Sequence, residues 1–171
     1  EGQRGIPVGN YAPEQGTNLP TLFDPRLNNV GRVFAEQHQL ENITDYAVVF
    51  KEKIVEPIFM TIYKAWTARE SAPVRPLMSD NLFQSHDYWV AAYKKHKLIN
   101  RLDELTLTGV HLVKLDLDKY YEAATVRLFA SVKDYTTDES GKLYSGDQRK
   151  ERRYSEYWTF VRRTGVDKDE K

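Results

Sequence analysis

The hydrophobic period of this chain changes near Leu102, and that change constrains the fold more than any other feature. Before Leu102 the apolar residues recur at helical spacing, and after it they alternate with polar residues. Helices followed by a meander of strands form an α+β order. Strands of about a dozen residues twist and curl strongly. The sequence therefore predicts an α+β fold with helices packed in the concavity of a long, curved antiparallel sheet, which gives a cone.

Three helical segments precede the change of period. The pattern predicts a short helix after an Asp-Pro start signal at about residues 25–39 and a longer one at about 42–66. Pro57 lies inside the longer segment and predicts a kink or a junction of two helices. Ser79 and the aspartate after it predict the cap of a third helix that runs over about 80–98.

Three strands follow the helices. The alternation predicts strands at about residues 102–112, 121–135 and 149–163. A tight turn at 116–119 separates the first two strands, and a glycine-containing hairpin loop at 136–147 separates the last two. We therefore expect sequential neighbours to pair in an antiparallel meander.

The domain boundaries follow from composition. Four prolines and four glycines in the first 25 positions predict an extended arm or linker over residues 1–22. Residues 166–171 form a charged tail, and the length of 171 residues fits a single domain over 23–165. Because the chain begins at Glu1 rather than at methionine, we interpret it as an excised piece of a longer protein.

Charge and composition disfavour several classes of function. The 25 basic and 25 acidic residues cancel, whereas a general nucleic-acid binder carries a basic excess. The absence of cysteine excludes disulfides and thiolate metal sites, and the four histidines lack the spacing of a helical metal site. We predict no metal, no cofactor and no catalytic residue from these patterns. The chain also lacks the run of about 18 apolar residues that a membrane-spanning helix needs.

Several blocks of the sequence resemble one family of domains. They are Ala65-Trp66-Thr67-Ala68-Arg69, Ser79-Asp80-Asn81-Leu82, Val132-Lys133-Asp134-Tyr135 and Ser155-Glu156-Tyr157-Trp158-Thr159-Phe160-Val161-Arg162. In this order they resemble the bacterial branch of the Tim-forty-four-like family, named after subunit forty-four of the translocase of the inner mitochondrial membrane. The resemblance covers roughly residues 45–165. It implies a cone of the nuclear-transport-factor-two-like superfamily.

The resemblance also implies a role. It points to a non-enzymatic interaction module, a soluble domain of a membrane-anchored parent, that binds a protein partner, an anionic membrane surface or both. The alternative is a small-molecule carrier or an isomerase-like or dehydratase-like enzyme that uses the concavity. Its proton-transfer groups would be Glu156 or the neighbouring His86 and Asp87. Adjacent helical residues diverge by about 100°, which disfavours His86 and Asp87 as a working pair.

Two sets of residues are candidates for a binding site. One set consists of aromatic side chains that either line a ligand pocket in the concavity or fill the core: Tyr63, Trp66, Trp89, Tyr93, Phe129, Trp158 and Phe160. The other is a basic patch that could attract a lipid headgroup or a partner, or could be an ordinary solvated face: Lys94, Lys95, Lys97 and Arg101.

Glu156 and Arg127 are predicted to form a structural ion pair. Each lies two residues from a large aromatic residue, Trp158 and Phe129 respectively, so both side chains are expected on the covered face of neighbouring strands. A buried carboxylate requires a partner, and Arg127 is the candidate.

Overall fold

Four α-helices form the first half of residues 17–165, the part of the chain that the computed structural model describes. Residues 1–16 of the arm predicted over 1–22, and the tail predicted over 166–171, lie outside the described residues. The helices are α1 (Leu27–Gln37), α2 (Ile43–Phe50), α3 (Glu56–Ala68) and α4 (Asp80–Lys95). A 3₁₀ turn, Ala72–Leu77, connects α3 to α4.

Helices α2 and α3 form one continuous helix through a π-helical segment, Lys51–Val55. The Asn42 side chain caps its start, because its Oδ1 accepts the N–H of Asp45 at 2.9 Å. Pro57 has no N–H to donate to the preceding turn, and the helix widens immediately before it. The discontinuity predicted at Pro57 is thus a widened turn inside one helix.

The third predicted helix is shorter than expected. Ser79 caps α4, since its Oγ accepts the N–H of Leu82 at 3.4 Å, but the helix ends at Lys95. Lys97 has a positive φ of 54°, which a helix does not allow, and Leu98 already belongs to the first strand. The helix predicted to run to residue 98 therefore ends at Lys95, and Leu98 belongs to the sheet.

The second half of the described chain is a three-stranded antiparallel sheet. Its strands are β1 (Leu98–Leu117), β2 (Tyr121–Asp138) and β3 (Leu143–Arg163), in the order β1-β2-β3. Each strand is longer than the sequence pattern predicts. The helices precede this curved sheet, so the predicted α+β fold, consistent with a nuclear-transport-factor-two-like cone, is confirmed.

Most of the hairpin loop predicted at residues 136–147 is strand. Strand β2 continues to Asp138 and β3 begins at Leu143. Gly146, expected in that loop, pairs with Tyr135 inside the sheet and has a φ of +86°. The register shifts at this point, so Gly146 forms part of a bulge rather than a turn.

The sheet has an inner face, which the helices cover, and an outer face. On β2 the inner residues alternate along the strand and are almost fully buried: Ala124, Val126, Leu128, Ala130 and Val132. Phe50 and Val55 pack over the first part of this row, and Phe59 packs over the second. Each fully buried large apolar side chain contributes about 1.5–3 kcal/mol. The continuous α2–α3 helix therefore supplies much of the core.

The outer face carries a strap, which we define as residues 17–26. The backbone N–H of Leu22 donates to the Tyr157 hydroxyl on β3, and that of Asp24 donates to the Val113 carbonyl on β1, both at 2.9 Å. Leu19 contributes its carbonyl to Arg127 on β2 at 2.6 Å. The strap thus contacts all three strands.

The predicted ion pair between Arg127 and Glu156 is wrong. In the register of the sheet Arg127 lies opposite Tyr157, whereas Glu156 lies opposite Leu128. Neighbouring residues of a strand point to opposite faces, so Arg127 is on the outer face and Glu156 on the inner face. Arg127 is 2% exposed and donates to the Thr21 and Ser155 side chains as well as to the strap carbonyl.

Candidate functional site

An open groove of about 670 Å³ runs between α3 and the first residues of β1. We call it the α3–β1 groove. Its α3 wall comprises Met60, Tyr63, Lys64, Thr67, Ala68 and Arg69, and its β1 wall comprises Ile99, Arg101, Leu102, Glu104 and Leu105. Leu102 and Leu105 pack against the inner core, whereas Ile99 and Arg101 alternate with the buried Leu98 and Asn100 and so lie on the outer face. Residues from both faces of β1 therefore line the groove, which places it along the edge of the strand.

The groove has a mainly cationic rim. Three of its lining residues are basic and one is acidic. The acidic residue, Glu104, pairs outside the groove with Lys133 at 2.6 Å, and Arg69 pairs with Glu139 at 2.9 Å. Within residues 17–165, Lys64 and Arg101 form no ion pair with a carboxylate. The groove thus combines apolar lining residues with two cations that have no carboxylate partner in this part of the chain.

A polar network that the sequence analysis missed fixes one wall of the groove. Trp66 donates its indole N–H to the Oδ1 of Asn100 at 2.8 Å, and the Asn100 amide donates to Asp134 at 2.8 Å. Asp134 in turn accepts from Arg152 at 2.9 Å. Asn100 is 3% exposed, so the two bonds that its side chain makes to Trp66 and Asp134 are shielded from water. Asn100 lies between the third predicted helix and the first predicted strand, so the sequence pattern gave no signal for this network.

The predicted aromatic set does not form a single pocket. Tyr63 lines the groove and stacks on Trp158 at 6.4 Å between ring centroids, and Trp158 contacts Phe160 at 6.2 Å. Trp66 packs edge-on against the buried Tyr93. Two members lie elsewhere and are corrections to the predicted pocket: Trp89 packs on Tyr88, and Phe129 lies on the outer face beneath the Arg127 guanidinium.

Tyr63, which lines the groove, is hydrogen-bonded to the hydroxyl of a tyrosine on β3. Tyr154 donates its hydroxyl to the Tyr63 hydroxyl at 3.1 Å. Burial raises the pKa of Tyr154 to about 12 and raises the pKa of Tyr63 well above its ordinary value. Both groups therefore stay neutral at physiological pH and act as hydrogen-bonding groups.

The predicted basic patch is divided between two elements. Lys94 and Lys95 lie in the last turn of α4, and Lys97 lies in the connection to β1; all three are exposed. Arg101 lies further along β1 in the groove wall and donates to the Thr137 hydroxyl at 3.4 Å. The four residues thus lie where α4 leads into the groove strand, although Arg101 belongs to the groove itself.

The residues considered for proton transfer have structural partners. The His86 ring nitrogen is hydrogen-bonded to the Glu70 carbonyl at 3.0 Å, and Asp87 is exposed. Glu156 is exposed and accepts the indole N–H of Trp158 at 2.8 Å. Within residues 17–165 no three His, Asp or Glu side chains gather as they would around a metal ion. The α3–β1 groove is the candidate binding site that residues 17–165 offer.

Comparison with protein families identifies the architecture. The family model for the Tim44-like domain matches residues 37–171, most of the chain. The chain belongs to the Tim44-like domain family. The Tim44-like match begins at the last residue of α1 and includes α2 to α4, the sheet and the whole α3–β1 groove. A search of curated proteins found no match.

The strap and nearly all of α1 precede the Tim44-like match. They are nevertheless joined to the sheet, because His38, at the end of α1, contacts the buried Glu122 carboxylate at 2.6 Å. Glu122 also accepts from Arg162 on β3 at 2.8 Å. No helix among residues 17–165 has both the length and the apolar character needed to cross a bilayer.

Proposed function

We propose that this Tim44-like domain is a non-enzymatic interaction module of a membrane-associated protein. It binds a protein partner or an anionic lipid surface through the corner formed by the end of α4 and the α3–β1 groove. The observation that carries the proposal is the unneutralised charge of this corner. Lys94, Lys95 and Lys97 are exposed beside a groove that itself holds Lys64 and Arg101.

The geometry favours binding over chemistry. The groove is open, its lining includes Met60, Leu102 and Leu105, and two of its basic residues, Lys64 and Arg101, have no carboxylate partner among residues 17–165. Basic residues near an anionic membrane surface contribute about 1 kcal/mol each. Together, the three lysines would contribute about 3 kcal/mol to a salt-sensitive association, in addition to what the groove contributes.

Co-sedimentation with vesicles tests the lipid part of this proposal. We expect the domain to pellet with vesicles of phosphatidylcholine and phosphatidylglycerol, and to remain in solution with phosphatidylcholine alone. Replacing Lys94, Lys95 and Lys97 together by glutamine should weaken binding by roughly a hundredfold, because about 3 kcal/mol of attraction is lost. Added salt should have the same effect on the unmodified domain.

A matched control removes charge elsewhere. Arg149 and Lys150 are exposed on β3, and replacing both by glutamine should leave vesicle binding nearly unchanged. Equal binding to neutral and anionic vesicles at low salt would contradict the lipid part of the proposal. An equal loss of binding in the β3 control would assign the effect to overall charge and not to the corner.

A further inference from the structure

Strand β1 is an edge of the sheet, and its first residues direct backbone groups away from β2. Leu98 is paired with Asp138, but Asp138 gives its N–H to the Lys142 carbonyl and its own carbonyl to the Gly141 N–H. The Leu98 carbonyl is contacted instead by Arg69, the residue directly after α3, at 3.4 Å. Because alternate residues of an antiparallel strand point their backbone groups to the same side, those of Asn100 and Leu102 also point outward.

This outward edge is the β1 wall of the α3–β1 groove. The lining residues come from both faces of the strand, as they must where a groove runs along an edge. The pairing of β1 with β2 is regular from Leu98 to Asp103, so the edge is straight over this stretch. A bulge then follows, and Glu104 has a positive φ of 55°. The bulge ends the straight edge and limits any added strand to a short one.

We infer that the α3–β1 groove takes a short extended peptide of a partner protein, which pairs with the free edge of β1 and carries acidic residues. This inference rests on the proposed interaction function and names its class of partner. Outward N–H and carbonyl groups require hydrogen-bonding partners, which a peptide backbone supplies and an acyl chain does not. The unneutralised Lys64 and Arg101 favour acidic side chains over basic ones.

The two faces of β1 predict the pattern of the peptide. Peptide side chains that point to the inner face of the sheet meet Met60, Leu102 and Leu105 at the edge of the core, so they should be apolar. Peptide side chains that point to the outer face lie beside Ile99 and Arg101, so they should be acidic. The partner segment therefore alternates apolar and acidic residues.

A labelled peptide tests the inference. The probe is a fluorescein-labelled peptide of alternating valine and glutamate, about seven residues long, and fluorescence anisotropy measures its binding. We expect saturable binding that weakens with salt, and binding at least about tenfold weaker when lysine replaces glutamate.

Backbone methylation separates strand addition from charge attraction. Successive N–H groups of a strand point in opposite directions. N-methylation of one alternate set of amides should abolish binding, whereas methylation of the other set should leave much of it. If neither set affects binding, charge alone holds the peptide and the inference is overturned.

Two variants locate the site. Ala68 is exposed on α3, so replacing it by tryptophan fills the groove without disturbing the core, and the affinity for the peptide should fall at least about tenfold. Lys64→Glu should weaken binding to a similar degree. Lys150→Glu, on the exposed part of β3, is the matched control and should bind like the unmodified domain.

The vesicle assay distinguishes this inference from the proposed function. If the peptide fails to bind while anionic vesicles bind, the inference is wrong and the lipid part of the proposed function stands. If Ala68→Trp abolishes vesicle binding and the peptide does not compete with vesicles for the unmodified domain, the groove is a lipid site and the peptide inference is overturned. If Ala68→Trp loses peptide binding and keeps vesicle binding, the result supports both the peptide inference and the lipid part of the proposed function.

Discussion

Arg127 shows how a single side chain can organise one face of the sheet. It is a fully buried cation on the face opposite the helices, where its guanidinium lies 4.6 Å from the centroid of the Phe129 ring. It donates to the Leu19 carbonyl and the Thr21 hydroxyl, both in the strap. A buried charge is stabilised when its donors are satisfied, and here the strap supplies acceptors. Arg127 therefore connects the strap to the middle strand.

We predict that Arg127→Met lowers the free energy of unfolding by about 2–4 kcal/mol, because the buried acceptors lose a charged donor. Hydrogen exchange should also accelerate at Leu22, whose N–H is held by the Tyr157 hydroxyl. Denaturant titration checks the first effect, and amide exchange by NMR checks the second.

Glu156→Gln is the matched control. Its side chain is exposed on the inner face and keeps an acceptor for the Trp158 indole N–H after the change. We expect a change in stability below about 0.5 kcal/mol. A cost for Glu156→Gln as large as that for Arg127→Met would contradict the assignment of the two residues to separate faces.

The prediction of an ion pair between Arg127 and Glu156 was wrong because it assigned Arg127 to the wrong face of the sheet. The prediction used Phe129 as a marker of the core face, because large aromatic residues usually face the core. Phe129 instead packs against Arg127 and His111 on the outer face. A strap from the other end of the chain covers that face, and a local pattern carries no information about such a long-range contact.

At the scale of the elements, the hairpin between β2 and β3 depends on two glycines with different constraints. Gly141 and Gly146 have nearly equal positive φ values of 88° and 86°. A Cβ on Gly141 would meet no atom within 4 Å. A Cβ on Gly146 would lie 2.8 Å from the Tyr135 Cα and 2.9 Å from the Asp134 carbonyl oxygen. Both therefore require a left-handed backbone, but only Gly146 also lacks space for a side chain.

We predict that Gly146→Ala destabilises the domain more than Gly141→Ala. The left-handed conformation costs an alanine about 1 kcal/mol at either site, and the backbone contacts at Gly146 should add about 1–3 kcal/mol. Thermal and urea denaturation of the two single variants measure this difference directly. Equal losses of stability would show that the bulge relaxes to make room.

The elements themselves were largely predictable, but several boundaries were not. The change from helical to alternating period gave the order of helices and strands, because each period follows from the backbone geometry. The predicted end of α4 and start of β1 were wrong because a leucine at position 98 fits the apolar pattern of a helix as well as that of a strand. Gly146 was read as a turn residue because glycine is common in both turns and bulges.

At the scale of the whole molecule, the sequence predicted the layers but not the groove between them. Only Tyr63 and Arg101 of the predicted site residues line the groove. Its remaining walls arise where α3 passes the edge of β1, and that edge is visible only once the strand order is known. The Trp66–Asn100 bond is likewise a contact between elements, and sequence spacing does not report it.

The Tyr63–Tyr154 pair joins the helical layer to the far strand of the sheet and makes stability depend on pH. Burial raises the pKa of Tyr154 to about 12, from the ordinary tyrosine value of 10.0. Because the folded pKa lies above the unfolded one, the stabilisation is fully present below about pH 10 and is lost as the pH rises towards 12. A rise of about two pKa units corresponds to roughly 2–3 kcal/mol.

We predict that the unfolding free energy falls steeply between about pH 10 and pH 12, and that Tyr154→Phe makes this fall shallower. At neutral pH the substitution should lower the free energy of unfolding by about 1 kcal/mol, because the Tyr63 hydroxyl loses its hydrogen-bond donor. Tyr144→Phe is the control, since Tyr144 is 61% exposed and should keep the original slope. Urea titrations across this range measure all three proteins. Parallel curves for the unmodified domain and Tyr154→Phe would show that other groups govern alkaline unfolding, because removing the buried hydroxyl must remove its share of the pH dependence.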